Sequence, residues 1–461
     1  MGAIITLSIL GILLLYLGLY KAKNALLPVS LLGLAVALGF LVYDWGIEAT
    51  PLFHGMVVFD HFAIAFSSLC IVVTGLTLLL SKDYFTDLSK NVAEYYALLL
   101  FSLVGALIVN SYHNFVMLFM GIEIMSVALY VLAGIRKTDL YSNEASIKYF
   151  IMGAFSTGFL LFGITLIYGA SGTFDLSGVR QYVIDNPQNI SPLFYGGILL
   201  LLIGLCFKIG AAPFHFWTPD VYDGSPTLVT TFMSTVVKIA SFSAFLRLFD
   251  YVFAALNDFW MPVLLVVIII TLFLGNITAL LQTSFKRLLA YSSIAHAGYM
   301  LFGILTLGPN STSGIFVYAL AYSLSTIVAF GSLILVKRAQ GSDQFVAFNG
   351  LGKSNPLLAA VLTLAMLSLA GIPLTGGFIG KFMLFSNVMG DYHVVLLILA
   401  AINAAIGVFY YLRVVVHMYF KDSDTQAEQV MVPGNFQVVF VLAALLTLVV
   451  GIYPDFLIGL F

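Results

Sequence analysis

Four titratable side chains interrupt stretches of the sequence that otherwise consist almost entirely of apolar residues. Lys208 lies in LLLIGLCFKIGAAPFHFW, Lys238 in LVTTFMSTVVKIASFSAF, Lys381 in GGFIGKFMLF and His296 in YSSIAHAGYM. Placing one unpaired ammonium group at the centre of a bilayer costs at least ~2.5–3.5 kcal/mol. The residues therefore predict either side chains that reach the membrane surface or a task that needs protonatable groups away from water.

Glu123 is the acidic residue in the middle of an apolar stretch, FVMLFMGIEIMSVALYVLAG. One interpretation is a structural Glu123–Lys208 ion pair, since removing one partner of a buried pair costs roughly 3–5 kcal/mol. The three buried lysines outnumber this one carboxylate, and a lysine in low dielectric without a partner can lose its proton. The set therefore predicts a proton relay, with His296 as a bridge because an imidazole titrates near neutral pH.

Composition places these residues in a membrane protein. The chain has 461 residues, of which 61% are hydrophobic and 9% are charged, whereas soluble domains carry about 25% charged residues. The net charge of −2 argues against nucleic acid as a partner. The two cysteines, Cys70 and Cys206, lie in apolar stretches and form neither a metal-ligand motif nor a disulfide framework. The first apolar stretch lacks a basic region and a cleavage site, so it predicts a retained span.

Fourteen apolar segments have about the length that a spanning helix requires, which is ~20 residues. They lie roughly at 2–20, 26–43, 60–80, 93–110, 114–134, 144–169, 192–212, 226–248, 261–281, 289–307, 313–336, 355–387, 393–418 and 435–458. Only short polar loops join them, so the sequence predicts an all-α integral membrane protein whose residues 1–461 form one membrane domain.

Two of the predicted spans contain helix breakers near a lysine. Pro213 follows Lys208 in the seventh span, and Pro373 precedes Lys381 in the twelfth, within GIPLTGG. Proline removes a helix hydrogen bond, and interrupted helices at corresponding positions of two halves indicate a transport site. The spacing of five spans predicts two inverted five-helix repeats. In the predicted division, spans 1–3 occupy 1–90, spans 4–8 occupy 91–250, spans 9–13 occupy 251–420, and span 14 occupies 421–461.

The basic residues predict an orientation. The odd-numbered loops hold 13 of the 19 Lys and Arg residues, whereas the even-numbered loops hold only Arg180 and, at a helix end, Arg247. Because cytoplasmic loops are enriched in Lys and Arg, we expect both termini on the outer, periplasmic side. This fourteen-span arrangement leaves Lys208, Lys238, Lys381 and Arg413 within the membrane, and Arg413 is near enough to a helix end to snorkel.

Four segments together resemble one known family. They are FKIGAAPFHFWTPDVYDGSPTLVTTFMSTVVKIASF, LLQTSFKRLLAYSSIAHAGYM, GIPLTGGFIGKF and FMGIEIMSVALYVLAG. The combination is similar to that of the antiporter-like subunits of respiratory complex I, the proton-translocating NADH-quinone oxidoreductase. The resemblance covers essentially the whole chain. Within the family, one kind of subunit carries glutamate at the position of Lys381, so Lys381 argues against assigning the chain to that kind. The lack of a long lateral helix after span 14 argues against assigning it to another kind.

The resemblance implies roles for the five titratable residues. Glu123 and Lys208 would form the pair of spans five and seven, and Lys238 and His296 would lie on a central polar axis that ends at Lys381. The chain would then be one pump unit. Separation of Glu123 from Lys208 would release a proton toward Lys381.

The same resemblance implies the chain's partners and surroundings. No cofactor is expected in this chain, and NADH, FMN, iron–sulfur clusters and quinone are expected in partner subunits. The expected partners are lipids and other membrane subunits of complex I, including neighbouring antiporter-like subunits, in a bacterial inner membrane. The alternatives are a subunit of a multisubunit cation/proton antiporter, a non-transporting anchor subunit and, more weakly supported, a membrane-bound hydrogenase module.

Overall fold

The computed structural model describes residues 1–82, 84–85, 92–389, 394–422 and 430–461. Lys90, which contributes to the predicted orientation, lies outside these residues. Helices and turns account for almost all of the described chain, with only isolated β-bridges such as that between Leu52 and Val57. The prediction of an all-α protein is therefore confirmed.

The first half of the chain contains ten of the helices named here. They are α1 (Gly2–Leu19), α2 (Lys23–Trp45), α3 (His61–Leu79), α4 (Val92–Ser111), α5 (Phe115–Ala133), α6 (Leu140–Ser171), α7 (Leu176–Asp185), α8 (Pro192–Ile209), α9 (Trp217–Gly224) and α10 (Thr227–Tyr251). Several begin at a capping side chain, as where the Asn114 carboxamide oxygen accepts from the Val116 amide at 2.8 Å before α5, which satisfies an otherwise unpaired donor.

The second half of the chain contains the other seven helices named here. They are α11 (Asn257–Leu280), α12 (Phe285–Thr306), α13 (Pro309–Gln340), α14 (Pro356–Ala370), α15 (Gly376–Met389), α16 (Val394–Phe420) and α17 (Gly434–Ile452). Among the described residues, 13 helices are long and apolar enough to cross a membrane. The predicted twelfth span is not one of them, because it consists of two shorter helices, α14 and α15.

Glycine, and not proline, ends the helix at both predicted breaks. Gly210 has φ 73° and closes α8, and Gly371 has φ 84° and closes α14. A left-handed residue at this position is the common helix stop, and glycine adopts it without a Cβ penalty. Pro213 and Pro373 follow in the connecting segments. The prediction that Pro213 opens a continuous helix beside Lys208 is therefore corrected, since α8 has already ended at Ile209.

The chain divides into two compact units. Unit 1 comprises Met1–Gly210, Gly224–Leu265 and Phe461, and unit 2 comprises Ala211–Asp223 and Val266–Leu460. The predicted division into repeats at residue 250 stays a prediction.

Unit 1 contains closely packed helix pairs around α10. α10 is buried along its spanning part and packs against α3, α4 and α8. α4 and α5 approach closely where Gly105 and Gly121 face each other's helix, because a Cβ on Gly105 would meet the Met125 backbone. By contrast, α1 and α2 bury only 28% of their apolar spans and leave broad apolar faces.

Unit 2 is built around α13, which is buried over most of its length and packs against α14, α15 and α17. The segment that contains α9 is fixed to the start of α12. Arg287 lies 3.5 Å from the Asp220 carboxylate and 3.2 Å from that of Asp223, and the Lys286 ammonium donates to the Asp223 carbonyl at 2.6 Å.

The contact between α14 and α15 yields a stability prediction. A Cβ on Gly377 would overlap the backbone carbonyl of Ser368, whereas a Cβ on Gly434, also in the first turn of its helix, would meet nothing within 4 Å. We expect Gly377→Ala to lower the free energy of unfolding by about 1–3 kcal/mol through overpacking. Thermal unfolding in detergent measures this, with Gly434→Ala as the matched control. Equal melting temperatures for the two variants would contradict the prediction.

Candidate functional site

The structure places all four cationic candidates in the protein interior. Lys208 is 5% exposed, Lys238 4%, Lys381 7% and His296 2%. Lys208 and Lys238 lie in unit 1, and His296 and Lys381 lie in unit 2. Each of them is therefore shielded from lipid by the protein around it.

Lys208 lies in the last turn of α8, just before the stop at Gly210. The negative end of a helix dipole favours a cation at this position. The ammonium nitrogen donates a hydrogen bond to the Ser126 hydroxyl oxygen at 2.9 Å, and this hydroxyl in turn donates to the Ile122 carbonyl at 2.6 Å. A neutral oxygen of α5 therefore holds the Lys208 ammonium.

Glu123 lies on α5 one turn before Ser126 and is half-buried. Its Oε1 atom is buried and has no hydrogen-bond partner among the described residues. Glu123 interacts electrostatically with Lys208, but the described ion pairs within 4.0 Å do not include these two residues. The expected direct pair is thus not formed in this structure, because the ammonium reaches the hydroxyl one helical turn away.

Lys238 lies on α10, with serine side chains on adjacent turns. Ser234 and Ser241 are buried, and their hydroxyls donate to backbone carbonyls of the same helix. Unlike Lys208, this lysine is in the middle of its helix. Lys238 therefore lies within a helix whose spanning part is buried inside the protein.

His296 is held between two phenols in unit 2. Its Nδ1 atom shares a hydrogen bond with the Tyr318 hydroxyl at 2.6 Å, and its Nε2 atom shares one with the Tyr411 hydroxyl at 2.9 Å. The Tyr411 hydroxyl also bonds the Ser292 hydroxyl. A neutral imidazole donates from one ring nitrogen and accepts at the other, so His296 can pass a proton between these hydroxyl groups.

Lys381 caps the broken end of α14. Its ammonium donates to the carbonyl oxygens of Leu369 at 3.0 Å and Ala370 at 2.9 Å. It also lies 4.8 Å from the centroid of the Tyr299 ring. Because α14 ends at Gly371, these two carbonyl oxygens have no backbone amide partners among the described residues. The Lys381 ammonium supplies the hydrogen bonds that they would otherwise lack.

Sequence reasoning missed the neutral groups that support the titratable residues. These are Ser126 in unit 1 and, in unit 2, Tyr318, Tyr411, Tyr299 and Asn276, whose amide nitrogen lies 3.3 Å from the Tyr299 hydroxyl oxygen. Their signal is present in the sequence, since a phenol or carboxamide inside a spanning helix requires a hydrogen-bond partner. The described residues contain no group of three or more His, Cys, Asp and Glu side chains suited to a metal ion.

A family model matches most of the chain. It is described as the membrane region of NADH:quinone oxidoreductase and Mrp antiporters, and it matches residues 113–407. All five candidate titratable residues lie within that range.

Curated relatives match along nearly the full length. A protein of Cytophaga hutchinsonii is 40% identical over 99% of this chain and 98% of its own length. A second, from Trichlorobacter lovleyi, is 41% identical over 98% of this chain and 93% of its own length. Both bear the name NADH-quinone oxidoreductase subunit N.

Solved structures share the fold. A chain of respiratory complex I from Thermus thermophilus, with bound aureothin, has a TM-score of 0.84 and 32% identity and covers 99% of this chain and 98% of its own. A chain of an Mrp complex from a Dietzia species has a TM-score of 0.88 over 100% of this chain and 95% of its own, but only 17% identity, so it is similar in fold alone.

The capping role of Lys381 yields a local stability prediction. In Lys381→Met, the carbonyls of Leu369 and Ala370 lose their donor, and we expect the free energy of local unfolding at the end of α14 to fall by about 1–3 kcal/mol. Hydrogen–deuterium exchange of peptides that cover residues 367–372 measures this. Lys353→Met is the control, since its side chain is 78% exposed. Unchanged exchange in Lys381→Met would rule out the capping role.

Proposed function

Because the chain belongs to the family of NADH:quinone oxidoreductase and Mrp antiporter membrane subunits, we propose that it is subunit N of a proton-translocating NADH-quinone oxidoreductase. In this function it moves protons across the membrane while quinone is reduced elsewhere in the complex. The observation that carries the proposal is the set of deeply buried cationic groups, of which Lys208 and Lys381 donate to neutral oxygens.

The subunit type follows from the sequence and its relatives. The string TPDVYDGSPT followed by KIA at 238–240 is typical of the N type, and lysine at position 381 fits the N or the L type. The full-length relatives at about 40% identity carry that name. The alternative of a cation/proton antiporter falls within the same family model, but the Mrp chain is only 17% identical and is similar in fold alone.

Unit 1 provides the loading step of the proposed relay. Lys208 has two competing partners on α5, the Ser126 hydroxyl that it contacts and the Glu123 carboxylate one turn away. At an effective dielectric near 20, an ion pair at 4 Å contributes ~4 kcal/mol. Movement of the ammonium toward Glu123 therefore favours the protonated lysine, and return to Ser126 favours release of the proton.

Unit 2 provides the groups that receive and hold a proton. His296 connects the hydroxyls of Tyr318 and Tyr411, which suits it to transfer. Lys381 is the last group in the proposed series of proton transfers, in which a proton passes from Lys208 through Lys238 and His296. This order of steps rests on the family resemblance and on the burial of each group.

The proposed architecture has fourteen crossings arranged as two inverted five-helix repeats. The 13 long helices and the broken helix made of α14 and α15 supply this number. Both proposed breaks share a pattern in which a left-handed glycine is followed closely by a proline, Gly210 before Pro213 and Gly371 before Pro373. This shared pattern supports the repeat relationship.

The proposed setting is the inner membrane of a bacterium, with both termini on the periplasmic side. The charge asymmetry of the loops supports this orientation. The proposed partners are lipids and the other membrane subunits of complex I, including neighbouring antiporter-like subunits. NADH, FMN, iron–sulfur clusters and quinone would be bound by partner subunits.

A pumping assay tests the proposal. In purified complex reconstituted into liposomes, we expect Lys238→Met and Glu123→Gln each to lower the number of protons moved per NADH oxidised by the share that this subunit contributes. Lys353→Met should pump as the unaltered complex does, because this lysine is exposed. Undiminished pumping by Lys238→Met in fully assembled complex would contradict the proposed relay. A loss of assembly without a change in the number of protons moved per NADH would favour the anchor alternative.

A further inference from the structure

An ion pair lies at the end of unit 1 at which α3 begins and α10 ends. The two Asp60 oxygens accept from the Arg247 guanidinium nitrogens at 2.9 and 2.7 Å. The Arg247 side chain is 8% exposed and the Asp60 side chain 38%, so the guanidinium is inside and the carboxylate is at the boundary. Arg247 also lies 4.7 Å from the centroid of the Phe62 ring. The pair thus connects two helices at the surface of the unit.

Asp60 is ionised at neutral pH. Burial alone would raise the pKa of this carboxyl, but the charge and hydrogen bonds of Arg247 outweigh burial and hold the pKa below its ordinary value of 3.8. The same carboxylate caps α3 by accepting from the Ala63 amide at 2.8 Å. Two-point pairing of carboxylate and guanidinium is among the stronger charge-assisted interactions in proteins.

A chain of buried polar groups leads inward from Arg247. The guanidinium donates to the Asn110 backbone carbonyl at 3.2 Å. The Asn110 carboxamide oxygen accepts from the Ser243 hydroxyl, and its nitrogen donates to the Ser67 hydroxyl oxygen at 3.3 Å. The side chains of Asn110, Ser67 and Ser243 are fully buried.

The chain continues to the depth of Lys238. The Asn110 nitrogen also lies 3.7 Å from the Cys70 sulfur, and this thiol donates to the Val236 carbonyl at 3.9 Å. Val236 is two residues before Lys238 on α10, which is about 3 Å along a helix axis. Polar groups therefore extend from the ion pair to the level of a proposed relay lysine.

Two buried nitrogen atoms beside the ion pair indicate water. Arg247 Nε and His113 Nδ1 are buried and have no hydrogen-bond partner among the described residues. Buried polar groups are almost always satisfied, by ordered water where the protein offers no partner. Burial, with the nearby Arg247 charge, lowers the pKa of His113, so its imidazole is neutral at pH 7. Water and a neutral base are thus expected at this end of unit 1.

We propose that the Asp60–Arg247 pair is a gate on a second proton route, which runs from the depth of Lys238 past Cys70 and Asn110 to the outer end of unit 1. The inference rests on the proposed pumping function and on the orientation given with it. With the gate open, an N–H bond of the Lys238 ammonium breaks, a water molecule takes the proton, and the neutral amine remains. With the gate closed, protons cannot return by this route.

A leak measurement tests the gate. Asp60→Asn keeps an N-capping side chain but removes the charge that holds Arg247. In liposomes containing the whole complex, we expect several-fold faster passive proton leak without NADH and fewer protons retained per NADH oxidised. Asp44→Asn is the matched control, since within the described residues the ion pair of Asp44 is with the N-terminal amine, at 3.5 Å. A leak equal to that of Asp44→Asn would overturn the proposal.

The two cysteines of the chain provide an independent readout. Cys70 lies on the proposed route, and Cys206 on α8 is equally buried. A water-soluble methanethiosulfonate added outside should modify Cys70 in Asp60→Asn but not in Asp44→Asn, with Cys206 protected in both, as read by mass spectrometry of this chain. Protection of Cys70 in Asp60→Asn would contradict an opened route.

Two further variants keep the outcomes distinct. If Asp60→Asn fails to assemble, Arg247→Lys replaces it, because lysine keeps the charge but loses the two-point geometry. An Arg247→Lys complex without increased proton leak would then overturn the gate. Lys238→Met in the same preparations separates the two proposals. Lowered pumping in Lys238→Met with no leak in Asp60→Asn rejects only the gate, whereas undiminished pumping in Lys238→Met rejects the proposed relay through this lysine.

Discussion

The requirement that a buried ammonium group find oxygen partners shapes both units. Lys208 meets it with the Ser126 hydroxyl and Lys381 with the carbonyls of Leu369 and Ala370. A charge removed from water without such partners would cost several kcal/mol. Because these oxygens are neutral, they stabilise the ammonium less strongly than a carboxylate would, as the proposed release of a proton from each lysine requires.

Helix ends near these lysines supply part of the stabilisation. Gly210 and Gly371 stop α8 and α14 in the left-handed conformation, and the last carbonyls of a helix are unpaired and carry partial negative charge. Lys208 approaches such an end from within its own helix, whereas Lys381 reaches back from α15. In each unit, a helix end at a left-handed glycine thus lies beside a lysine. Lys208 precedes its glycine in the sequence, whereas Lys381 follows its own.

Sequence patterns predicted the helices and the buried charges well, because apolar length and isolated charge are local properties. They placed the breaks of the seventh and twelfth predicted spans in the correct segments but assigned them to Pro213 and Pro373. The conformation of Gly210 and Gly371 decides where each helix ends. The partners of Lys208 and His296 were not predicted. Ser126 and Tyr411 belong to helices distant in sequence, and which side chains meet depends on packing that no local pattern records.

Glu123 is the group that would give the proposed relay its second partner for Lys208 in unit 1. Its Oε1 atom is buried and has no donor among the described residues, and leaving a buried acceptor unsatisfied costs about 1–3 kcal/mol. Pairing with Lys208 would recover this energy but would break the bond between the ammonium and Ser126, which contributes about 1.5–3 kcal/mol. The Coulomb energy of such a pair, ~4 kcal/mol at an effective dielectric near 20, is offset by the cost of removing both charges from water. In the proposed relay, a small electrostatic change nearby would therefore decide which partner Lys208 takes.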